Sequence, residues 1–328
     1  MPKRSGHQMQ NQTLTACLRQ TVEKYPAHGI HYVNENGIQE IQTYAELLDE
    51  AYSLASGFMH SGFKPGEKII ITTLHNRQTI TALWGCFFAG LIPTILQTPV
   101  SLTDKSQAAE KLLNVYEQLD QPLIIVSKYF ASHAGIPESK FQQFDTIARI
   151  NGNPGFNQKT EDLAFIQYSS GSTGEPKGIM LTHANLLSNI KSIVAGLELT
   201  ANDRGGNWMP LYHDMGLIGF HLTPLLTGTN QYHIETIDFI KNPSLWLDLL
   251  SDARISISGS PNFGQSLILR HLQRKKQEHN WDFSSVKALL NGAEPISAKI
   301  MEEFTRALEQ HGFPENAMMP VYGMAEAT

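Results

Sequence analysis

The sequence lacks the features that mark several common classes of protein. Its 328 residues include only two cysteines, Cys17 and Cys86, which have no metal-ligand spacing and indicate no disulfide framework. The net charge is −6 and no stretch is densely basic, so neither nucleic acid nor an anionic membrane is expected as the main partner. The basic segment 270–279 is interpreted as a solvated helix face. The thirteen histidines contain no H-E-x-x-H pattern or comparable metal cluster.

Long uninterrupted apolar runs are also missing. Residues 1–12 have no apolar core and do not form a secretory signal. The most apolar run, residues 79–96, is barely long enough to span a bilayer, and Gly85, Gly90 and Pro93 interrupt it. We interpret this run as a buried helix followed by a strand, and we expect a cytoplasmic protein without a membrane span.

Strand-like and helix-like segments alternate along the chain. Asn36-Gly37 lies between alternating residues and predicts a β-hairpin, and Thr43 with Glu46 forms a capping box that predicts a helix over 44–60. Further predicted strands are 68–74, 122–127, 163–168, 178–181, 254–260 and 286–292. Further predicted helices begin at 77, 245, 264 and 297, and another follows Thr182 as its cap and runs to about Gly196. This order predicts an α/β fold with mostly parallel sheets. The segment 151–162, rich in Asn and Gly, predicts a break between two packed α/β subdomains near residues 150–162.

The segment "YSSGSTGEPKG", residues 168–178, concentrates hydrogen-bond donors between two predicted strands. Its glycines allow backbone N–H groups to converge on one point, while hydroxyl groups and Lys177 add further donors and a positive charge. Such a set suits phosphate oxygens. The segment is not a P-loop, because Pro176 precedes the lysine and a strand, not a helix, follows it. A flexible, solvated Ser/Gly hairpin is the alternative interpretation.

The same segment resembles the phosphate-binding loop of the adenylate-forming superfamily, which includes acyl-CoA synthetases, nonribosomal-peptide adenylation domains and luciferases. Three further motifs follow in the order typical of that superfamily: "PLYHDMGL" (210–217), "NGAEPI" (291–296) and "YGMAEAT" (322–328). The details of the Ser/Gly segment and of "PLYHDMGL" are most similar to fatty acyl-AMP ligases. The resemblance extends from about Leu14 to the last residue, and it implies the layered αβαβα N-terminal domain of these enzymes.

The resemblance also implies roles for individual residues. Lys177 would add positive charge to a loop that holds the β- and γ-phosphates of ATP through Ser169, Ser170, Gly171, Ser172, Thr173 and Gly174. The adenine base would be bordered by Asn291, Gly292, Ala293, Glu294, Tyr322 and Gly323, with the ring of Tyr322 stacked on it. Glu326 would bind Mg²⁺, and Thr328 would face the phosphates.

The motif "PLYHDMGL" would border the reacting groups. His213 would lie beside the substrate carboxylate and the α-phosphate, although a single histidine is more often structural. Asp214 is typical of the acyl-AMP ligase version of this motif, and the sequence suggests no separate role for it. An acyl tunnel would be bordered by Met215, Gly216 and Ile218, for which core packing is an equally good explanation. Ordinary alternatives are also open for Lys177 as a solvated turn residue, for Glu326 as an acid at a helix start and for Tyr322 as a core residue.

The implied activity is ATP-dependent conversion of a fatty acid to acyl-AMP with release of pyrophosphate. The acyl group would then pass to the phosphopantetheine arm of an acyl carrier protein. A fatty acyl-CoA synthetase, which differs only in the acceptor, is one alternative, and a binding module for nucleotide or acyl-AMP without turnover is another. Members of the superfamily continue beyond "YGMAEAT" with a ribose-binding acid, a hinge arginine and a lid domain that carries a catalytic lysine. We therefore expect residues 1–328 to be an N-terminal domain incomplete at its C-terminus, without the lid and poorly active alone.

Overall fold

The computed structural model describes residues 12–99, 107–127, 135–169, 176–274 and 279–327. The α-helices are α1 (Leu14–Lys24), α2 (Tyr44–His60), α3 (Asn76–Ala89), α4 (Gln107–Gln118), α5 (His183–Gly196), α6 (Thr223–Thr227), α7 (Thr236–Lys241), α8 (Ser244–Asp252), α9 (Asn262–Arg274) and α10 (Ala298–Glu309). The strands are β1 (Gly29–Asn34), β2 (Gly37–Thr43), β3 (Lys68–Thr72), β4 (Ile92–Ile95), β5 (Leu123–Val126), β6 (Phe141–Gln143), β7 (Leu163–Ser169), β8 (Lys177–Thr182), β9 (Arg204–Asn207), β10 (Asn230–Ile234), β11 (Ile257–Gly259), β12 (Ala288–Asn291) and β13 (Met318–Pro320). A π-helix spans Met215–Leu222, and the alternation confirms the predicted α/β fold.

The chain divides into two compact units. Unit 1 contains the chain up to Glu23 and Tyr44–Asn189, and unit 2 contains Lys24–Thr43 and Ile190–Ala327. The division therefore falls after Asn189, and the segment 150–162, where the sequence predicts a break, lies inside unit 1. This segment is irregular but fixed by contacts. Thr15 Oγ1 donates to Gln158 Oε1 at 2.6 Å, and the Gln158 amide in turn donates to the Phe87 carbonyl.

Unit 1 is built on a parallel sheet with the strand order β4-β3-β5-β6. Helix α3 is buried from Thr79 to its end, and Gly90 stops it with φ +71° while its N–H bonds to the Cys86 and Phe87 carbonyls. Strand β4 follows at Ile92, so the apolar run is a buried helix and a strand, as predicted. Within the described residues, no helix combines the length and the apolar character needed to cross a bilayer.

Unit 2 is built on a seven-stranded sheet with the order β13-β12-β11-β9-β10-β1-β2. All neighbouring pairs are parallel except β1–β2, the predicted hairpin, in which Gly37 takes φ +90°. The main core of unit 2 contains Trp208, which stacks on Phe239 with ring centroids 3.8 Å apart, and the fully buried Trp246 and Phe304. The carboxyl ends of the six parallel strands lie along one edge of this sheet, which is where ligands of open α/β sheets bind.

Candidate active site

The predicted motifs of unit 2 follow the carboxyl ends of parallel strands in one sheet. "PLYHDMGL" follows β9, "NGAEPI" begins at the last residue of β12, and "YGMAEAT" follows β13. Strand β11 lies between β9 and β12 and leads into α9. The three segments begin at residues 210, 291 and 322. They share one sheet edge because the strands before them belong to one run of parallel strands.

The segment after β9 is anchored by Asn207, which is the last residue of that strand and is only 1% exposed. Its Nδ2 donates to the Met209 carbonyl at 3.0 Å, and its Oδ1 accepts the Met209 N–H at 2.9 Å. Both polar atoms of one side chain therefore fix the backbone four residues before His213. A π-helix begins soon afterwards at Met215, and this rare helix type is frequent at functional sites.

His213 and Asp214 form a pair at the start of the π-helix. His213 Nδ1 lies 2.8 Å from Asp214 Oδ1, and the same oxygen accepts the Met215 N–H at 2.6 Å. Burial raises the pKa of Asp214, but the hydrogen bond and charge of His213 and the Met215 amide lower it more, so its pKa lies below the usual range. Asp214 is therefore ionised at neutral pH, and it is the residue of this motif for which the sequence suggested no role.

A buried polar network lies at the other end of the π-helix. His221 Nδ1 and His233 Nε2 each lie 3.0 Å from Gln231 Oε1, and Gln231 Nε2 donates to the His221 carbonyl at 3.1 Å. Because an amide oxygen only accepts, both rings donate to it. Burial lowers the pKa of His221 to about 4 and that of His233 to about 3, so both rings are neutral near pH 7. Sequence reasoning missed this network, which joins the π-helix to β10.

The three predicted acyl-tunnel residues differ in their surroundings. Ile218 is 4% exposed and Gly216 is buried, whereas Met215 is half-buried. A Cβ atom at Gly259, on β11, would lie 2.9 Å from Met215 Cε, so the methionine methyl group covers the end of that strand. Packing within unit 2 accounts for Gly216 and Ile218, and a contact of any of the three with an acyl chain stays a prediction.

Gly216 has a specific steric reason to be glycine, and we predict a measurable cost for replacing it. A Cβ atom there would lie 2.3 Å from the Pro210 carbonyl oxygen, which is backbone and cannot rotate away. We expect Gly216→Ala to lower the free energy of unfolding by about 1–3 kcal/mol in urea titrations. Gly219→Ala is the matched control, since a Cβ at Gly219 meets nothing within 4 Å. Equal stabilities for the two variants would contradict the steric argument.

The segment after β12 is anchored by Asn262, the first residue of α9. Asn262 Oδ1 accepts from Asn291 Nδ2 at 3.0 Å and from the Ser297 N–H at 3.2 Å, while its Nδ2 donates to the Pro295 carbonyl at 2.6 Å. The Asn291 side chain is fully buried and points into this anchor. Sequence reasoning missed Asn262, because one asparagine at a helix start carries no signal of a contact 29 residues away.

The other predicted adenine residues also have defined positions. Gly292 is buried, and a Cβ there would lie 2.9 Å from the Val321 carbonyl oxygen, so the two segments touch. Ala293 is exposed and adopts φ +71°, a conformation that is costly for a residue with a Cβ. Glu294 accepts the Phe263 N–H at 2.7 Å, so its carboxylate sits at the amino end of α9.

Tyr322 and Glu326 are exposed at the same sheet edge. Val321 donates its N–H to the Asn291 carbonyl at 2.8 Å, which ties this segment to the end of β12. Tyr322 is 87% exposed and Gly323 is also exposed, while a short 3₁₀ helix, Ala325–Ala327, carries Glu326 with its side chain in solvent. A ring with this exposure can stack its face on a flat ligand. Among the described residues, no three His, Cys, Asp or Glu side chains form a metal-binding group.

Unit 1 carries the Ser/Gly segment on the hairpin β7–β8. The strands are antiparallel, with Ser169 paired to Lys177, so the loop joins two strands as predicted. Lys177 is therefore the exposed first residue of β8. The Tyr168 ring lies over Gly178, where a Cβ would be 3.0 Å from Tyr168 Cζ. The remaining predicted loop residues Ser170, Gly171, Ser172, Thr173 and Gly174, together with Thr328, lie outside the described residues.

Comparison with known proteins agrees with this arrangement. The family described as "AMP-binding enzyme" matches residues 18–328. A medium-chain-fatty-acid–[acyl-carrier-protein] ligase, JamA of Moorena producens, is 31% identical over 90% of this chain and 51% of its own length. A putative acyl-CoA synthetase of Caulobacter vibrioides is 32% identical over 92% of this chain and 54% of its own length. The chain spans about half the length of these relatives.

A solved structure with the same fold is the fatty acyl-adenylate ligase from L. pneumophila in complex with acyl adenylate and pyrophosphate. It superposes with a TM-score of 0.88 at 29% sequence identity, over 99% of this chain and 57% of that protein. The likeness covers both units, and it confirms the α/β architecture that the sequence resemblance implied.

Proposed function

Because the chain belongs to the AMP-binding enzyme family, we propose that it is the part of a fatty acyl-AMP ligase that binds ATP and the fatty acid. The observation that carries the proposal is the placement of three motifs on one edge of the unit 2 sheet, after β9, β12 and β13. The relatives include enzymes named for this chemistry. A cytoplasmic location follows from the proposal, since the cytoplasm supplies ATP.

The proposed reaction is an in-line displacement at phosphorus. A carboxylate oxygen of the fatty acid bonds to the α-phosphorus of ATP, and the bond from that phosphorus to the bridging oxygen of pyrophosphate breaks. The transition state carries spread negative charge, so the protein acts mainly by positioning and by charge stabilisation. We assign Lys177 and the Ser169–Gly174 segment to the phosphates, His213 to the reacting carboxylate and α-phosphate, and Tyr322 with residues 291–294 to the adenine.

The residues present fit a magnesium site of the kind that nucleotide enzymes use. Mg²⁺ takes one or two protein carboxylates and keeps water and phosphate oxygens as its other ligands. Glu326 is exposed at the end of the chain segment that follows β13, and no carboxylate-rich cage is required around it. When bound, Mg²⁺ would neutralise charge on the phosphate oxygens. Glu326 would supply the protein ligand, and Thr328 would lie on the phosphate side.

Glu326→Gln tests this ligand assignment. The amide keeps the size of the side chain but binds a hard cation poorly, so we expect the concentration of Mg²⁺ needed for half-maximal acyl-AMP formation to rise about tenfold or more. Folding is expected to be unaffected, because the side chain is exposed. Glu309→Gln, another exposed acid of unit 2, is the control and should leave the Mg²⁺ titration unchanged. Superimposable titrations of Glu326→Gln and wild type would remove Glu326 from the metal site.

The acceptor of the acyl group distinguishes the proposed ligase from a fatty acyl-CoA synthetase. The relative named as an acyl-carrier-protein ligase favours transfer to the phosphopantetheine arm of a carrier protein. The relative named as a putative acyl-CoA synthetase makes CoA the alternative acceptor. The test is to incubate the intact protein that carries this chain with ATP and fatty acids of graded length, then add CoA or a phosphopantetheinylated carrier protein. Acyl-AMP that is consumed by the carrier protein and persists with CoA supports the proposal, and rapid consumption by CoA overturns it.

A further inference from the structure

One carboxylate oxygen at the start of the π-helix serves two donors. Asp214 Oδ1 lies 2.8 Å from His213 Nδ1 and 2.6 Å from the Met215 nitrogen. We propose that Asp214 is a positioning residue that holds the His213 ring with its proton on Nδ1, so that Nε2 is the atom presented to the reacting groups. The proposal rests on the proposed function for its purpose, but the geometry of the pair stands without it.

The chemistry of the two side chains determines where the proton lies. An ionised carboxylate has no proton to give, so the 2.8 Å contact requires Nδ1 to be the donor. The Met215 N–H also lies 3.3 Å from Nδ1, but a protonated Nδ1 cannot accept it. Asp214 Oδ1 is therefore the acceptor for both groups. The lowered pKa of Asp214 keeps the carboxylate charged at neutral pH, which agrees with this arrangement.

The backbone of His213 is already fixed, which leaves the ring as the part that needs orientation. Its N–H donates to the Pro210 carbonyl at 3.1 Å, and its carbonyl accepts the Leu217 N–H at 2.9 Å. The ring itself is 43% exposed, so packing alone does not hold it in one rotamer. The Asp214 side chain is less exposed, at 26%, and its position is fixed by the hydrogen bond from the Met215 N–H. The carboxylate thus transfers the rigidity of the π-helix to an exposed ring.

Asp214 also caps the π-helix, and a cap-only role is the competing explanation. Two substitutions separate the roles. Asp214→Ser keeps an oxygen for the Met215 N–H but is too short to serve the His213 ring as well. Asp214→Asn keeps both contacts, because the Met215 N–H can donate only to the amide oxygen, not to the amide NH₂ group, and so prevents a flip of the amide. A cap-only role predicts that both variants behave like wild type.

The first experiment is ¹⁵N nuclear magnetic resonance of the histidine rings in this chain, with His213→Gln to assign the His213 signals. At a pH where the ring is neutral, we expect the Nδ1–H tautomer in wild type and in Asp214→Asn, and the Nε2–H tautomer in Asp214→Ser. Asp252→Ser, an exposed position at the end of α8, is the control and should leave the His213 signals unchanged. An Nε2–H tautomer in wild type would overturn the proposal.

The second experiment is a double-mutant cycle for acyl-AMP formation in the intact protein. We expect Asp214→Ser to lose roughly a hundredfold in rate, the cost of a misplaced catalytic group. In a background of His213→Gln, the same substitution should cost little more, because its effect passes through His213. Losses that multiply fully would overturn the proposal. If no variant or wild type forms acyl-AMP, the proposed function fails, and the ring tautomer still decides the role of Asp214.

Discussion

Replacing Lys177 with alanine is expected to lower fatty-acid-dependent acyl-AMP formation by roughly ten- to a thousandfold, the range for losing one preorganised charge. The hairpin explains why this lysine is preorganised. Lys177 pairs with Ser169 in the β7–β8 ladder, so its backbone is fixed at the point where the Ser/Gly segment ends. Its side chain is exposed, so the substitution should leave the free energy of unfolding nearly unchanged.

Two further variants make the Lys177 result specific. Lys177→Arg keeps the positive charge and should retain more activity than Lys177→Ala, although the guanidinium differs in shape from an ammonium group. Lys159→Ala removes another exposed lysine of unit 1 and should leave the rate unchanged. The measurement is the initial rate of acyl-AMP formation at saturating ATP. A wild-type rate for Lys177→Ala would contradict the phosphate-binding role and favour the alternative interpretation of Lys177 as a solvated turn residue.

Mild acid is expected to destabilise the protein well before its carboxylates are protonated. Burial lowers the pKa of His183 and His221 to about 4 and that of His233 to about 3, while an unfolded histidine titrates near 6.5. Between pH 6.5 and 4 the unfolded chain therefore binds protons that the folded protein does not bind. Stability falls in this window as the pH is lowered, by about 1.4 kcal/mol per pH unit for each such histidine, and is unaffected by these groups above pH 7.

The acid effect has a local structural cause in unit 2. Both rings that donate to Gln231 are buried, so a proton on either ring would place a charge away from water among neutral hydrogen-bonding groups. The measurement is the urea midpoint between pH 4.5 and 7.5. His233→Gln keeps a donor for Gln231 but does not titrate, so it should flatten the pH dependence. His60→Gln, at the exposed last residue of α2, should not flatten it. A wild-type midpoint that does not vary over this range would contradict the neutral network.

Local features were predictable because their causes are local. The helix 44–60 and the hairpin at Asn36-Gly37 agree with the structure to the residue, since a capping box and a glycine with positive φ act within a few residues. The predicted strand 254–260 is longer than β11, Ile257–Gly259, and at its predicted start Arg254 adopts φ +49°, which lies outside the β region. The resemblance supplied the fold class, which neither composition nor periodicity specifies beyond mixed α/β.

Long-range features were not predictable from the residues. The hairpin β1–β2 joins the sheet of unit 2 because β1 pairs with β10, for example Ile30 with Gln231. No local sequence pattern predicts a partner so far along the chain. The π-helix has the composition of an ordinary apolar helix. Asn262 and the Gln231 network depend on side-chain contacts between distant segments. The sequence also did not predict that the side chains of Asn291 and Glu294 each have a hydrogen-bond partner at the start of α9.

The most direct test of the account is fatty-acid-dependent exchange of labelled pyrophosphate into ATP by the intact protein that carries this chain. The exchange requires reversible attack of a carboxylate on the α-phosphorus, so it reports acyl-AMP formation without reference to the final acceptor. The account predicts label in ATP when a fatty acid and Mg²⁺ are present, none without the fatty acid, and a rate reduced at least about tenfold by Lys177→Ala. Binding of ATP with no exchange for fatty acids of any length would show a nucleotide-binding module and contradict the account.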